Sequence, residues 1–232
     1  GTFLYDVTTD DGYTATGLTG DHTIEFPVVS LIHKVSISGV FPAFDFTGNT
    51  DKTKIVEISN FGIYGIGSTS QENAFEGCTN LTITATDGGN FKNVTNLQQA
   101  FRSCEDLTNF PYIDTGKVTN FIGTWRGCSL LTEFPLLDFS SGTNFDAAWS
   151  YCSSLKHFPA NAFDNCTATD FTDAFISTNL SEQSIDGILE SLDVAGQING
   201  TFTQSGGEAP SSVGLAAKTS LEAKGWTISV TT

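Results

Sequence analysis

Four cysteines recur in one setting: Phe75-x-x-Cys78-x-x-Leu81, Phe101-x-x-Cys104-x-x-Leu107, Trp125-x-x-Cys128-x-x-Leu131 and Trp149-x-x-Cys152-x-x-Leu155. Thiolates in sequence repeats suggest a metal centre. Zinc, however, needs ligands that converge on one point, usually as Cys-x-x-Cys pairs. One Cys per repeat predicts a line of thiols instead, with neighbours about 8–10 Å apart if they ride on packed helices, beyond disulfide reach. Buried thiols acting as small apolar fillers fit that pattern better. Cys166 falls off the row and is the thiol to test for reactivity or pairing between chains. Five Cys in all is an odd count and excludes a complete intramolecular disulfide framework.

The other groups with chemical potential are few. The three His are His22, His33 and His157. His157 and Glu133 stand at the same repeat position and are expected as cross-strand neighbours. No nucleophile or oxyanion donor accompanies them, so a surface ion pair is favoured over a general-base pair. Asp114 and Asp138 recur once per repeat, where turn formation is favoured over calcium binding. Gly88-Gly89 and Gly206-Gly207 lack a phosphate-loop context and read as turns. No cofactor and no catalytic residue is assigned.

The positioning elements follow from the period. Thr95-Asn96-Leu97, Thr119-Asn120-Phe121 and Thr143-Asn144-Phe145 are 24 residues apart, as are Phe110-Pro111, Phe134-Pro135 and Phe158-Pro159. A fixed period of this length is the signature of a repeat architecture. An earlier copy runs from Thr69-Ser70-Gln71 through Cys78, and a last one from Thr169-Asp170-Phe171 to Thr178, each with a 26-residue step. Ser70, Asn96, Asn120, Asn144 and Asp170 are N-cap types preceding apolar residues at i, i+4 and i+7. They predict helix starts near 70, 96, 120, 144 and 170, each helix followed by a short strand such as 107–110.

The expected fold is thus α/β: a leucine-rich-repeat-type solenoid of about five coils, with one short strand and one short helix each. A β-rich N-terminal cap (1–63) precedes the solenoid (64–180), and an α/β C-terminal cap (181–232) closes it. In the first, the runs 23–29, 31–37 and 55–58 read as strands. In the last, Ser181 caps a helix carrying Ile185, Ile188, Leu189 and Leu192, a loop spans 194–212, a second helix covers about 213–224, and 226–230 is a closing strand.

The repeat resembles a known group. Asp114-Thr115-Gly116-Lys117-Val118-Thr119-Asn120 followed by Trp125-Arg126-Gly127-Cys128 is similar to the bacterial surface-protein repeat, and Ala74-Phe75-Glu76-Gly77-Cys78-Thr79-Asn80-Leu81 to the BspA-like leucine-rich repeat. The likeness covers about 69–180, and Lys224-Gly225-Trp226-Thr227-Ile228 resembles the tail that follows such repeats. Trp at 125 and 149, Phe at 121 and 145 and the missing Cys at 178 depart from the pattern. The resemblance implies an extracellular recognition or adhesion module without a catalytic site, on a bacterial cell surface or on a virion as a receptor-binding or tail-fibre component. Its partner would be a cell-surface glycan or protein. The alternative is a structural or decoration subunit of a virion or extracellular filament, with homo-oligomeric assembly.

Composition bounds the partners further. Ten Lys+Arg against 26 Asp+Glu gives a net charge of −16, which leaves no basic footprint for nucleic acid and disfavours an anionic membrane. No run approaches the 18 apolar residues of a membrane span, so no membrane insertion is expected. The chain contains no Met, as expected of a processed or excised portion of a longer protein. The candidate binding residues are Asn109, Glu133 and His157 in one row, Lys156 with Thr108 and Thr132 in the next, and Tyr112 with Leu136 just past the prolines. The competing reading is that these are solvated strand residues.

Overall fold

A computed structural model describes residues 4–19, 24, 32–40, 43, 44, 46, 48, 50–62 and 69–232. His22 and the strand expected over 23–29 lie outside the described residues, apart from residue 24. Among the described residues are eight short strands in three small sheets and two α-helices. β1 (Leu4–Thr9) lies between β2 (Thr14–Leu18) and β3 (Val35–Val40), both antiparallel to it. β4 (Glu57–Ile58) pairs in parallel with β5 (Thr82–Ile83). The third sheet is parallel, in the order β6 (Asp170–Phe175), β7 (Thr201–Gln204), β8 (Thr227–Ser229).

The expected five-coil leucine-rich-repeat solenoid is not the fold. Both helices, α1 (Glu182–Ala195) and α2 (Ser212–Ala223), follow the sequence repeats. None begins near 70, 96, 120, 144 or 170, and β6 occupies the last of these places. The expected strand at 107–110 reduces to isolated bridges, Asn109 to Glu133 and Glu133 to His157.

The reason lies in the backbone. Residues three and seven positions after each expected cap have positive φ: Asn73 and Gly77, Gln99 and Ser103, Gly123 and Gly127, Ala147 and Tyr151, Asp173 and Ser177. A left-handed residue every fourth position breaks an α-helix into successive turns. The even-numbered amides Ala100, Arg102 and Cys104 bond back to Leu97, Gln99 and Phe101. The odd ones, Leu97, Gln99, Phe101 and Ser103, donate instead to the carbonyls of Asn120, Ile122, Thr124 and Arg126, at 2.7–3.0 Å. Phe121, Gly123, Trp125 and Gly127 do the same to Asn144, Asp146, Ala148 and Ser150. The Asn side chains act as turn formers: Asn96, Asn120 and Asn144 each accept from the amide two residues on, which is the Asx-turn habit that competes with helix.

Bonding at this range brings equivalent rings together. Phe121 stacks on Phe145 at 4.8 Å and Phe145 on Phe171 at 4.9 Å. Trp125 stacks on Trp149 at 5.3 Å, and Trp149 on Phe175 at 4.8 Å. Phe110, Phe134 and Phe158 form a further column, with steps of 5.9 and 5.4 Å, set edge-on to the tryptophans. Each ring contact adds about 0.5–1.5 kcal/mol beyond its buried area. The two indoles carry a cost: both Nε1 atoms are buried without a hydrogen-bond partner, a penalty of about 1–3 kcal/mol each.

The C-terminal elements follow their sequence signals. The Ser181 hydroxyl accepts from the Ser184 amide at the start of α1, and Ile185, Ile188, Leu189 and Leu192 are buried. α1 ends at Gly196 with φ 73°, the left-handed stop that glycine permits. β7 lies inside the stretch expected as loop, where Phe202 is fully buried between its parallel neighbours. No described helix is long and apolar enough to cross a membrane.

Ala147 holds φ 53° where the preceding repeat has Gly123. An Ala147→Gly variant should gain about 1 kcal/mol in stability, because the left-handed cost of a Cβ exceeds the entropy that glycine adds to the unfolded chain. Urea denaturation measures it, and a lower midpoint would contradict the turn geometry as the controlling feature.

Candidate functional site

Three of the sequence-selected residues stand in one row of parallel bridges. Asn109 pairs with Glu133 and Glu133 with His157. Backbone bonds hold the rows in place: Thr132 donates to Thr108, Lys156 and His157 donate to Thr132, and Phe134 donates to His157, at 2.9–3.2 Å. In each row two exposed residues, Thr108-Asn109, Thr132-Glu133 and Lys156-His157, lie between a buried Leu and a buried Phe, so burial of the flanking apolar side chains leaves these pairs facing water. The carbonyl of Lys156 accepts from the Ser181 amide and the Ser184 hydroxyl, both at 3.0 Å, which ties the end of the rows to α1.

Glu133 and His157 are neighbours, yet no ion pair joins them among the described residues; the histidine that does pair is His33, with Asp10 at 3.2 Å. The surface ion pair expected at 133 and 157 is therefore corrected. Parallel bridging sets the two side by side without bringing carboxylate to imidazole.

Tyr112 and Leu136, one repeat apart, are each 57% exposed. They flank a surface recess of about 260 Å³ whose lining includes buried Leu137, Phe139 and Ala162 and the polar Asp138, Asn161 and Asn165. The next residue in the apolar row is Ala160, so the row loses its bulk there. The far wall comes from the 161–165 turn, in the stretch that lengthens the repeat step from 24 to 26 residues. Neither Asn161 nor Asn165 engages its side-chain amide with another described residue, whereas Asp138 accepts from the Ser140 amide at 2.9 Å. Asp114 makes the same bond to Gly116 at 3.2 Å. Both aspartates thus act as turn formers. Asn109, Glu133, Lys156 and His157 do not line the recess; Tyr112 does. Sequence reasoning missed Asn161 and Asn165, because they sit in the stretch where the period changes.

Gly88 positions this region. It opens a 3-10 turn over Gly88–Phe91, its carbonyl accepts from Asp114, and a Cβ on it would come within 1.8 Å of the Tyr112 carbonyl oxygen.

The cysteine row is buried throughout. Its members do not converge: among the described residues, the group close enough to share an ion is Asp10, Asp11 and His33. The 8–10 Å helix spacing expected for the row is replaced by the closer spacing of stacked segments. Three thiols of the row have a structural use. Cys104, Cys128 and Cys152 donate to the carbonyls of Phe75, Phe101 and Trp125 in the preceding segment, at 3.1–3.3 Å. Burial pushes the Cys78 thiol up to about 12 and raises Cys104 and Cys128 well above the ordinary thiol range. Cys166 is also buried and pushed up to about 11 by desolvation, which corrects the expectation of a reactive thiol there.

No family model, no curated protein and no solved structure matches this chain.

Two outcomes follow from this geometry. Gly88→Ala should destabilise by about 2 kcal/mol or more, since backbone has to move to relieve the overlap; an unchanged denaturation midpoint would show that Gly88 does not brace the Tyr112 segment. The thiols of Cys78, Cys104 and Cys128 stay protonated in the folded chain and ionise near their ordinary range once unfolded. Their contribution to stability is therefore complete below about pH 9 and is lost as pH rises from 9 toward 12. A Cys128→Ala variant should lose stability less steeply over that window in urea titrations, by up to ~1.4 kcal/mol per pH unit. Equal slopes would mean that the thiol is not held neutral.

Proposed function

We propose that the chain is a non-enzymatic extracellular recognition or adhesion module that binds a cell-surface glycan or protein. The observation that carries the reading is the exposed set Asn109, Glu133, Lys156 and His157 on backbone fixed by bonds between segments, with exposed Tyr112 following Asn109 in the chain. Backbone held at fixed spacing has little further to order on binding, which leaves the rotamers of the exposed side chains as the main local entropy lost. The mixture of amide, carboxylate, imidazole, ammonium and phenol suits a polar partner with some apolar surface. The likeness of the repeats to BspA-like surface proteins supports the same reading and the same location, at a bacterial cell or virion surface. A net charge of −16 favours neutral or basic partners over anionic ones.

The test is whole-cell binding by fluorescently labelled protein, comparing the parent with alanine variants at Asn109, Glu133, Lys156, His157 and Tyr112. Loss of about tenfold or more in affinity at two or more of these positions, with far-UV circular dichroism unchanged, is the expected result. Binding that survives all five substitutions rejects this face. Stable oligomers in light scattering without any cell binding would turn the reading toward an assembly subunit.

A further inference from the structure

We propose that the recess beside Tyr112 is a subsite for one neutral pyranose ring, a proposal that rests on the recognition reading above. Its volume of about 260 Å³ falls below the ~300–1,000 Å³ of sites for drug-sized ligands, so about one ring is held at a time. The chemistry of the lining narrows the class. Tyr112 and Leu136 offer exposed apolar surface against which the C–H face of a sugar can lie, and buried Leu137, Phe139 and Ala162 complete the apolar part of the lining. Asp138 supplies carboxylate acceptors, and Asn161 and Asn165 supply amides free to donate and accept. An apolar platform with neighbouring acceptors and amides matches a polyol that is greasy on one face and hydroxylated at its rim. No Lys or Arg lines the recess, and the chain carries a charge of −16, so sialylated, uronic or sulfated sugars are selected against.

Saturation-transfer difference NMR on the intact chain tests this, with the methyl glycosides of glucose, galactose, mannose and N-acetylglucosamine as probes and glucuronic and sialic acids as anionic comparators. Transfer is expected to the ring C–H protons of at least one neutral glycoside and to neither acid. Tyr112→Ala should weaken binding roughly tenfold, and Asn165→Ala should weaken it while keeping the circular dichroism of the parent. No transfer to any neutral glycoside, preference for the acids, or unchanged binding in both variants overturns the subsite. Cell binding that depends on Glu133 and His157 without any glycoside signal would sink the sugar subsite alone and leave the recognition reading intact. Glycoside binding without cell binding would do the reverse.

Discussion

Within residues 97–103, 121–127 and 145–151, every second amide leaves its own segment to bond the next one. That single habit sets most of what surrounds it. A buried N–H must find a partner, and a left-handed residue at every fourth position denies it the helical one. The neighbouring segment's carbonyls are then the available acceptors. Once they are used, equivalent residues are drawn to strand-like spacing. Rings at equivalent positions have little choice but to stack, and the ring distances of 4.8–5.9 Å follow from the backbone bonds. The aromatic core is a consequence of this bonding as well as a source of stability.

The thiol row shows how side-chain choice answers to the same constraint. Each segment's Phe or Trp carbonyl already accepts the amide of its own Cys, and the thiol of the following segment takes another position on the oxygen. A small, weakly polar donor that tolerates an apolar setting is what that place requires. Where Thr178 stands instead, the hydroxyl bonds the Phe175 carbonyl of its own segment, so the donor survives and its target changes. Zinc chemistry asks for convergence, and residues repeated at a fixed interval diverge from any single point.

The period, the buried rings and thiols, the Ser181 cap of the first helix and the rows holding Asn109, Glu133 and His157 were legible in the sequence. The conformation of the repeating segments was not. Apolar residues at i, i+4 and i+7 mark one face of a helix, but a run of turns four residues long presents the same residues to the same side. A signal against helix was nevertheless present. Gly123 and Gly127 sit four apart inside the supposed helix, as Gly77 does in an earlier copy, and each glycine costs a helix about 1 kcal/mol. Their register marks the left-handed positions, including those filled by Gln99, Ser103, Ala147 and Tyr151. β7 was hidden for another reason: Thr201–Gln204 is bounded by Gly200 and Ser205-Gly206-Gly207, and its burial comes from partners far away in the chain.

Strict repetition also limits what such a surface can recognise. Rows of equivalent side chains give extended, shallow contact, because each segment offers the same relief as its neighbour. A concave place with several kinds of group around it needs a break in the period. The recess lined by Tyr112, Asp138, Asn161 and Asn165 occurs where the step grows from 24 to 26 residues. The added length lets the 161–165 turn form a wall that the regular segments lack, while Phe163 from the same turn stacks on Phe139 at 5.4 Å and keeps it anchored to the core. Regular segments thus supply rigidity, and the irregular one supplies shape. The proposed sugar subsite sits at that irregularity, where unlike groups meet across a depression.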